Sequence, residues 1–279
     1  MKLLLVVSVF LLLAQEAIAV SHYYPTATKQ KFNNSNISGE ELKVLLFNVL
    51  DKKHIRVKKG DDVVVNSCAE GPKGNCYEQR SLGYRGARKV LFGKLHLEED
   101  AEGYYIKDVY CRKKITNAQT QVGPNTIPNH SQINCEHTWP QSKFSGRFPK
   151  GLQKSDLHHL FPTDSRANSI RGNNEFANVQ GDPLENDCAA SYSGTPKGNY
   201  DYFEPPTEHK GNVARALFYF SIRYQIKISE RQEAYLRQWH ELDPVDAEER
   251  DRNQTIFEIQ RNRNPFIDYP NLVDRIKNF

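Results

Sequence analysis

Several features are missing from this sequence, and each absence narrows what the chain can be. Its five cysteines include no C-x-x-C pair, which argues against a zinc-cysteine site. After Ala19 no apolar stretch approaches the roughly 20 residues needed to cross a bilayer, so the mature chain is expected to carry no membrane anchor. There is no internal repeat and no low-complexity tract, which weakens any reading as a modular scaffold. Strong charge is absent as well. A formal net charge of +4 and a sequence pI near 8.6 permit a polyanionic partner and fit an ordinary solvated surface equally well.

What is present begins with an export signature. Lys2 precedes the apolar run Leu3 to Leu13, and Ala17, Ile18 and Ala19 form an A-x-A cleavage site. Residues 1–19 are therefore expected to be a removable signal peptide, with an uncleaved anchor as the competing reading. Residues 20–279 suit one large domain or two small ones, and a single domain is the expectation. Cys68, Cys76, Cys111, Cys135 and Cys188 all lie in that part, where export permits disulfides. The odd count leaves one thiol over. Cys68 and Cys76 flank a Gly-Pro-Lys-Gly turn and can close a small loop, whereas the other pairings stay open.

Periodicity predicts a mixed, mainly helical α+β chain. The polar segment from Val20 to about Ile37 reads as an extended lead-in. Ser38 with Glu41 reads as a capping box for a helix carrying Leu42, Leu45, Leu46, Val49 and Leu50. Tyr84 to Leu95 suggests a second helix, and Tyr104 to Thr116 a strand. Further on, Val213, Ala216, Leu217, Phe220 and Tyr224 share one helical face, Ser229 with Gln232 caps the next helix, and Asp243-Pro244 suits the start of a third.

Between Ile133 and Asn178 polar residues of catalytic type concentrate: Glu136, His137, Asp156, His158, His159, Asp164, Arg166, Asn168, Arg171 and Asn173. Ile133 to Trp139 reads as a strand stopped by Pro140, and Asp156 to Phe161 as another stopped by Pro162. Thr163 or Asp164 then caps a helix running towards Gly172. The order is strand, strand, helix.

The run CEHTWPQS, followed by SDLHHLFPTDSRANSIRGN, resembles the endonuclease I family of exported bacterial nucleases. FEPPTEHKGNVARALFYFSIRY, LRQWHELDP and RNRNPFIDYP extend the resemblance in the family's order, from about Asn134 to Pro270. The resemblance implies a ββα-metal finger at about 133–178 and cleavage of DNA and RNA with little sequence specificity, leaving 5′-phosphate ends. It implies His137 as general base, Glu136 and Asn168 as protein ligands of one Mg2+ ion, with Mn2+ or Ca2+ as substitutes, and Arg171 at a basic position near the phosphate. Arg147 is the loop candidate for an arginine on the product phosphate, although its spacing differs from the family's.

The residue types suit these roles on their own chemistry. Magnesium prefers oxygen ligands and keeps several waters when few protein groups bind it, as one carboxylate and one amide oxygen would allow. A histidine with a reference pKa of about 6.5 can take a proton from water near neutral pH. Asn168 and Arg171, three apart on a helix, share a face. On an ideal strand Glu136 and His137 point to opposite faces, so a bulge or strand end is expected there. His158 and His159 must diverge likewise, and at least one is expected to be structural. No segment rich in Arg and Asn at base-reading spacing is evident, so the phosphate backbone is the expected contact.

The expected partners are thus DNA and RNA, the expected state a monomer, and the expected location the periplasm or the medium. Two alternatives remain: a metal-dependent phosphodiesterase acting on other phosphoesters, and a non-catalytic nucleic-acid-binding protein with a degenerate finger. The intact Glu136, His137 and Asn168 argue against the second. A disulfide at Cys135, pinning the strand beside the active pair, is a further possibility to check.

Overall fold

The computed structural model describes residues 22–34, 36–181, 183–184, 188–195 and 202–279. The expected signal peptide lies outside them. Helices predominate over small sheets, so the fold class is α+β. Among the described residues, no helix is long and apolar enough to cross a membrane. The chain falls into two compact units, one formed by residues up to Arg80 with Asn253–Lys277, the other by Ser81–Arg252 with Asn278–Phe279.

In the first unit the extended lead-in gives way to a helix, α1 (Thr26–Asn33). The polar composition was a poor guide because Phe32 and the preceding Tyr24 supply the burial: both are sunk in the core, and their rings meet each other and Tyr269. Helix α2 (Gly39–Asp51) buries Leu42, Leu46, Val49 and Leu50 at the expected spacing. The Ser38 capping box does not form, since the Ser38 side chain makes no cap bond. Gly39 makes the entry turn instead, with a φ of 56° that favours glycine. Strands β1 (Lys53–Ile55), β2 (Val63–Val65) and β3 (Cys76–Tyr77) form an antiparallel sheet with β1 in the centre. Cys68 and Cys76 are disulfide-bonded, closing the small loop their spacing suggested.

The second unit opens with α3 (Gly83–Val90), which runs on into a single wide turn at Leu91–Leu95. β4 (Glu98–Asp100), β5 (Gly103–Lys107) and β6 (Lys114–Thr116) make an antiparallel meander. The single strand expected over Tyr104 to Thr116 is thus two. Asp108 breaks it, because its buried carboxylate accepts the backbone N–H groups of Tyr110, Cys111 and Lys113 and folds the chain back.

β7 (Ile133–His137) and β8 (Leu160–Asp164) pair antiparallel, with α4 (Lys150–Lys154) in the connection between them, and α5 (Ser165–Arg171) follows β8 directly. The second strand starts later than Asp156. Asp156 instead caps a tight turn over Leu157–His159 by accepting the His158 N–H, and the strand continues through Pro162. Proline is tolerated because the sheet has two strands only, leaving one side of each free of ladder bonds. The Pro162 carbonyl accepts from Val109 N–H. Asp164 caps α5, accepting from the amides of Arg166 and Ala167.

β9 (Glu175–Phe176), β10 (Pro183–Leu184), β11 (Cys188–Gly194) and β12 (Tyr202–Glu204) form a sheet in the order β10-β11-β12-β9. α6 (Thr207–Tyr224) is buried along most of its length, well beyond one face. Ser229 caps α7 (Glu230–Leu242) through Gln232 N–H, as its spacing predicts. α8 (Ala247–Gln260) starts later than Asp243-Pro244: Asp246 accepts from Glu249 N–H, while Asp243 closes α7 and accepts from Gly211 N–H. A disulfide joins Cys111 to Cys188. Cys135 is therefore a free, buried thiol, not a disulfide partner.

Candidate active site

Glu136 and His137 end β7 in a ladder without a bulge. Glu136 lies opposite Phe161 and His137 opposite Leu160, in one unbroken register from Ile133 onwards. The irregular backbone expected at this pair is absent, and the two side chains leave opposite faces of the hairpin, as strand geometry dictates.

On one face, Glu136 turns towards α5. Its Oε1 accepts from the Tyr110 hydroxyl at 2.8 Å and lies 3.0 Å from Arg171 Nη1. Burial pushes the Glu136 carboxyl up and the Arg171 charge opposes it. Arg171 is just as enclosed. Its Nη1 donates to the His137 carbonyl at 2.9 Å and its Nη2 to the Thr138 carbonyl at 2.6 Å, so the guanidinium ties the helix to the end of the strand. Phe176 covers its plane at 4.5 Å. Asn168, half-buried, lies three residues before Arg171 and on the same side of α5.

On the other face, His137 is surrounded by the rings of Tyr84, Phe144 and His159. Its Nε2 lies 3.1 Å from the Lys154 carbonyl. A carbonyl only accepts, so Nε2 carries the hydrogen and Nδ1 keeps the lone pair. Nδ1 faces the Gln141 amide nitrogen at 3.3 Å, which donates to it. Burial, then the neighbouring His159, pushes His137 down to about 3, which keeps the ring neutral. A neutral imidazole with one nitrogen anchored and a lone pair on the other is the form a general base requires.

The other candidates sort by their contacts. His159 holds its own Nε2 on the Gln153 carbonyl at 2.8 Å and packs on Phe220, so it supports the His137 ring from behind. His158 packs on Tyr219, whose hydroxyl donates to Asp156 together with that of Tyr224. Both histidines therefore have structural surroundings. Arg147 is exposed and donates to Gln225 at 3.1 Å; no contact with Glu136 or His137 occurs among the described residues. Sequence reasoning missed Tyr110 and Gln141. Gln141 lay within the CEHTWPQS run and was open to notice, whereas nothing local marks Tyr110 as a partner of Glu136.

The endonuclease I family model matches residues 38–271, most of the chain. The chain belongs to the endonuclease I family. Among its relatives, an endonuclease-1 of Buchnera aphidicola subsp. Acyrthosiphon pisum is 31% identical over 224 residues, covering 70% of this chain and 84% of the relative. An extracellular ribonuclease of Bacillus subtilis is 37% identical over 169 residues, 53% of this chain and 55% of the relative. An extracellular deoxyribonuclease of Aeromonas hydrophila is 30% identical over 158 residues, 50% of this chain and 66% of the relative. The chain spans about half the length of the Bacillus ribonucleases it matches.

Oxygen donors suited to a metal lie on this side of the hairpin. Glu136 and Asn168 offer one carboxylate and one carboxamide oxygen, and the Glu136–Arg171 contact brings the glutamate to the side of α5 that carries Asn168. Such hard oxygen donors fit a magnesium ion that retains most of its water. No group of three or more His, Cys, Asp or Glu suited to a metal occurs among the described residues. A larger cavity of about 470 Å³ elsewhere in this unit is lined by Glu98, Asp108, Glu208, Asp246 and Glu248 against Lys107 and Arg112. Its excess of carboxylates is unsuited to a polyanion.

Proposed function

We propose that this protein is an exported, metal-dependent endonuclease that hydrolyses phosphodiester bonds of DNA and RNA with little sequence preference. The observation that carries this reading is the state of His137: at the end of β7, its Nε2 is fixed on the Lys154 carbonyl and its Nδ1 keeps a lone pair. Membership of the endonuclease I family supports it, as do relatives named ribonuclease and deoxyribonuclease. The last two names favour action on both nucleic acids. Relatives named extracellular and periplasmic support export, as do the two disulfides, which persist in oxidising compartments.

In this reading His137 Nδ1 takes a proton from the attacking water, and the Lys154 carbonyl stabilises the imidazolium formed by holding Nε2–H. Gln141 lies on the same nitrogen and must yield that position to the water. Glu136 and Asn168 would hold a magnesium ion, which when bound supplies charge stabilisation at the phosphate. Tyr110 and Arg171 fix the Glu136 carboxylate, and Arg171 also sets the end of the strand. Arg147, exposed in the loop between the strands, is assigned to the product phosphate. Cleavage leaves the phosphate on the 5′ end, and the enzyme acts as a monomer.

The deciding experiment incubates the purified mature chain with supercoiled plasmid and with RNA, each with magnesium and with EDTA. Nicking and RNA loss are expected with magnesium only. His137→Ala should abolish both and leave nucleic-acid binding in EDTA intact. Normal cleavage by His137→Ala would remove the base assignment, and cleavage of a small diester without either polymer would favour a general phosphodiesterase.

A further inference from the structure

Beside the Glu136–Arg171 pair lies a cavity of about 50 Å³ bounded by Thr138, Lys143, Arg171, Lys227, Ser229 and Gln232. That is well above the roughly 10–15 Å³ needed to admit one water, and leaves room for a small polar group.

Buried donors without acceptors gather here. The Thr138 hydroxyl and the Arg171 Nε–H have no hydrogen-bond partner among the described residues, on side chains that are 0% and 2% exposed. Gln232, at the same cavity, is fixed by its amide oxygen, which accepts from Phe176 N–H. A buried donor without a partner is costly, so two at one small cavity call for an acceptor.

The charges point the same way. Lys143 and Lys227 are exposed at the cavity and have no ion-pair partner among the described residues. α7 begins at Glu230, immediately after Ser229, and adds the positive end of its dipole. The one carboxylate lining the cavity is Glu175, which already accepts from the Ser229 hydroxyl.

We propose that this cavity binds a phosphate group of the substrate chain, next along from the bond being cut, with Thr138, Arg171 Nε, Lys143 and Lys227 as its donors. Thr138 follows His137 directly, at a Cα spacing of about 3.8 Å, so the cavity adjoins the strand end that carries the base. The inference rests on the nuclease reading above, and it assigns new work to Thr138, Lys143 and Lys227, beside an arginine that the family resemblance already sets near the phosphate.

The test measures binding of a short labelled oligonucleotide in EDTA, across a range of salt, for the wild type, Lys143→Gln/Lys227→Gln and Thr138→Val, each first shown to keep the wild-type melting temperature. Each lost phosphate contact lowers the slope of log K against log salt by about 0.7–0.9. The lysine pair should lose about one such step and raise KM for the polymer, with kcat unchanged on a small diester that lacks a neighbouring phosphate. A methylphosphonate at the neighbouring position should weaken wild-type binding and have no further effect on the variants. Inorganic phosphate should compete with the oligonucleotide on the wild type and not on the variants. Unchanged slopes and KM with normal cleavage would overturn the subsite alone; so would inorganic phosphate that binds without competing, since that is a free-anion site. Absence of both binding and cleavage in the wild type would remove the nuclease reading itself.

Discussion

Glu136 and Arg171 form an ion pair at 3.0 Å in which each side chain is only 2% exposed. Such a pair is poorly hydrated, so its members depend on one another. Breaking a buried pair by removing one partner typically costs about 3–5 kcal/mol, because the remaining charge is stranded. Arg171→Ala also removes the donors to the His137 and Thr138 carbonyls. Urea unfolding should therefore show a loss of about 3 kcal/mol or more. A loss below about 1 kcal/mol would mean the guanidinium is not integral to this end of the hairpin.

Asp108 offers a second test at a distance from the chemistry. Its carboxylate accepts from Tyr110, Cys111 and Lys113 N–H, and from Asp164 N–H at 3.2 Å, linking the Tyr110 turn to the start of α5. Hydrogen bonds to a charged group contribute about 1.5–3 kcal/mol each, although not additively. Asp108→Ala should lower the melting temperature and displace Tyr110, reducing activity beyond what the unfolded fraction explains. Activity that tracks stability alone would show that the turn does not position Tyr110.

The cysteines make a redox prediction. The Cys111–Cys188 bond closes a separation of 77 residues, for which chain entropy gives about 4.5 kcal/mol. Excess reductant should lower the urea midpoint, Cys111→Ser should reproduce most of that loss, and Cys135→Ser should leave the response to reductant intact. If Cys135→Ser abolished the response, the free-thiol assignment would fail.

Acid should destabilise the protein through its buried histidines. Burial first, then the Arg252 and Arg215 charges, pushes His209 down to about 3, and burial pushes His159 down to about 4. Both are neutral when folded, whereas an unfolded histidine takes up a proton near 6.5. Their contribution is full above about 6.5 and is lost as pH falls towards 4 for His159 and 3 for His209. Across that window each histidine adds a slope of up to about 1.4 kcal/mol per pH unit. Replacing His209 by Leu should remove about one proton's worth of that slope in stability-versus-pH curves; an unaltered slope would contradict its buried neutral state.

Legibility in the sequence followed the range of the interactions. Ser229 with Gln232 and Asp164 with α5 were readable, because a cap and its amide lie within three residues. The same local logic misplaced the start of β8, where Asp156 side-chain chemistry diverted the backbone into a turn. It also misplaced the start of α8, where Asp243 was drawn to Gly211 and Asp246 took the cap. The family's motifs mark Glu136, His137, Asn168 and Arg171 as the candidates. Their mutual geometry is not marked, because Tyr110 reaches Glu136 across 26 residues and Lys154 reaches His137 across 17. The bulge expected between Glu136 and His137 assumed that both must meet at one point. Instead the ladder is regular, and the two side chains serve opposite faces of one hairpin.

Cys135 sits one residue before that pair, buried, with its thiol pushed up to about 12 by enclosure and by the charge of Glu136. While β7 is in place such a sulfur is protonated and inaccessible, and so inert to alkylating reagents. It reacts only when the strand lifts away. The labelling rate of this single thiol therefore works as a clock for local opening, timing how often this edge of the hairpin comes apart while the rest of the molecule stays folded.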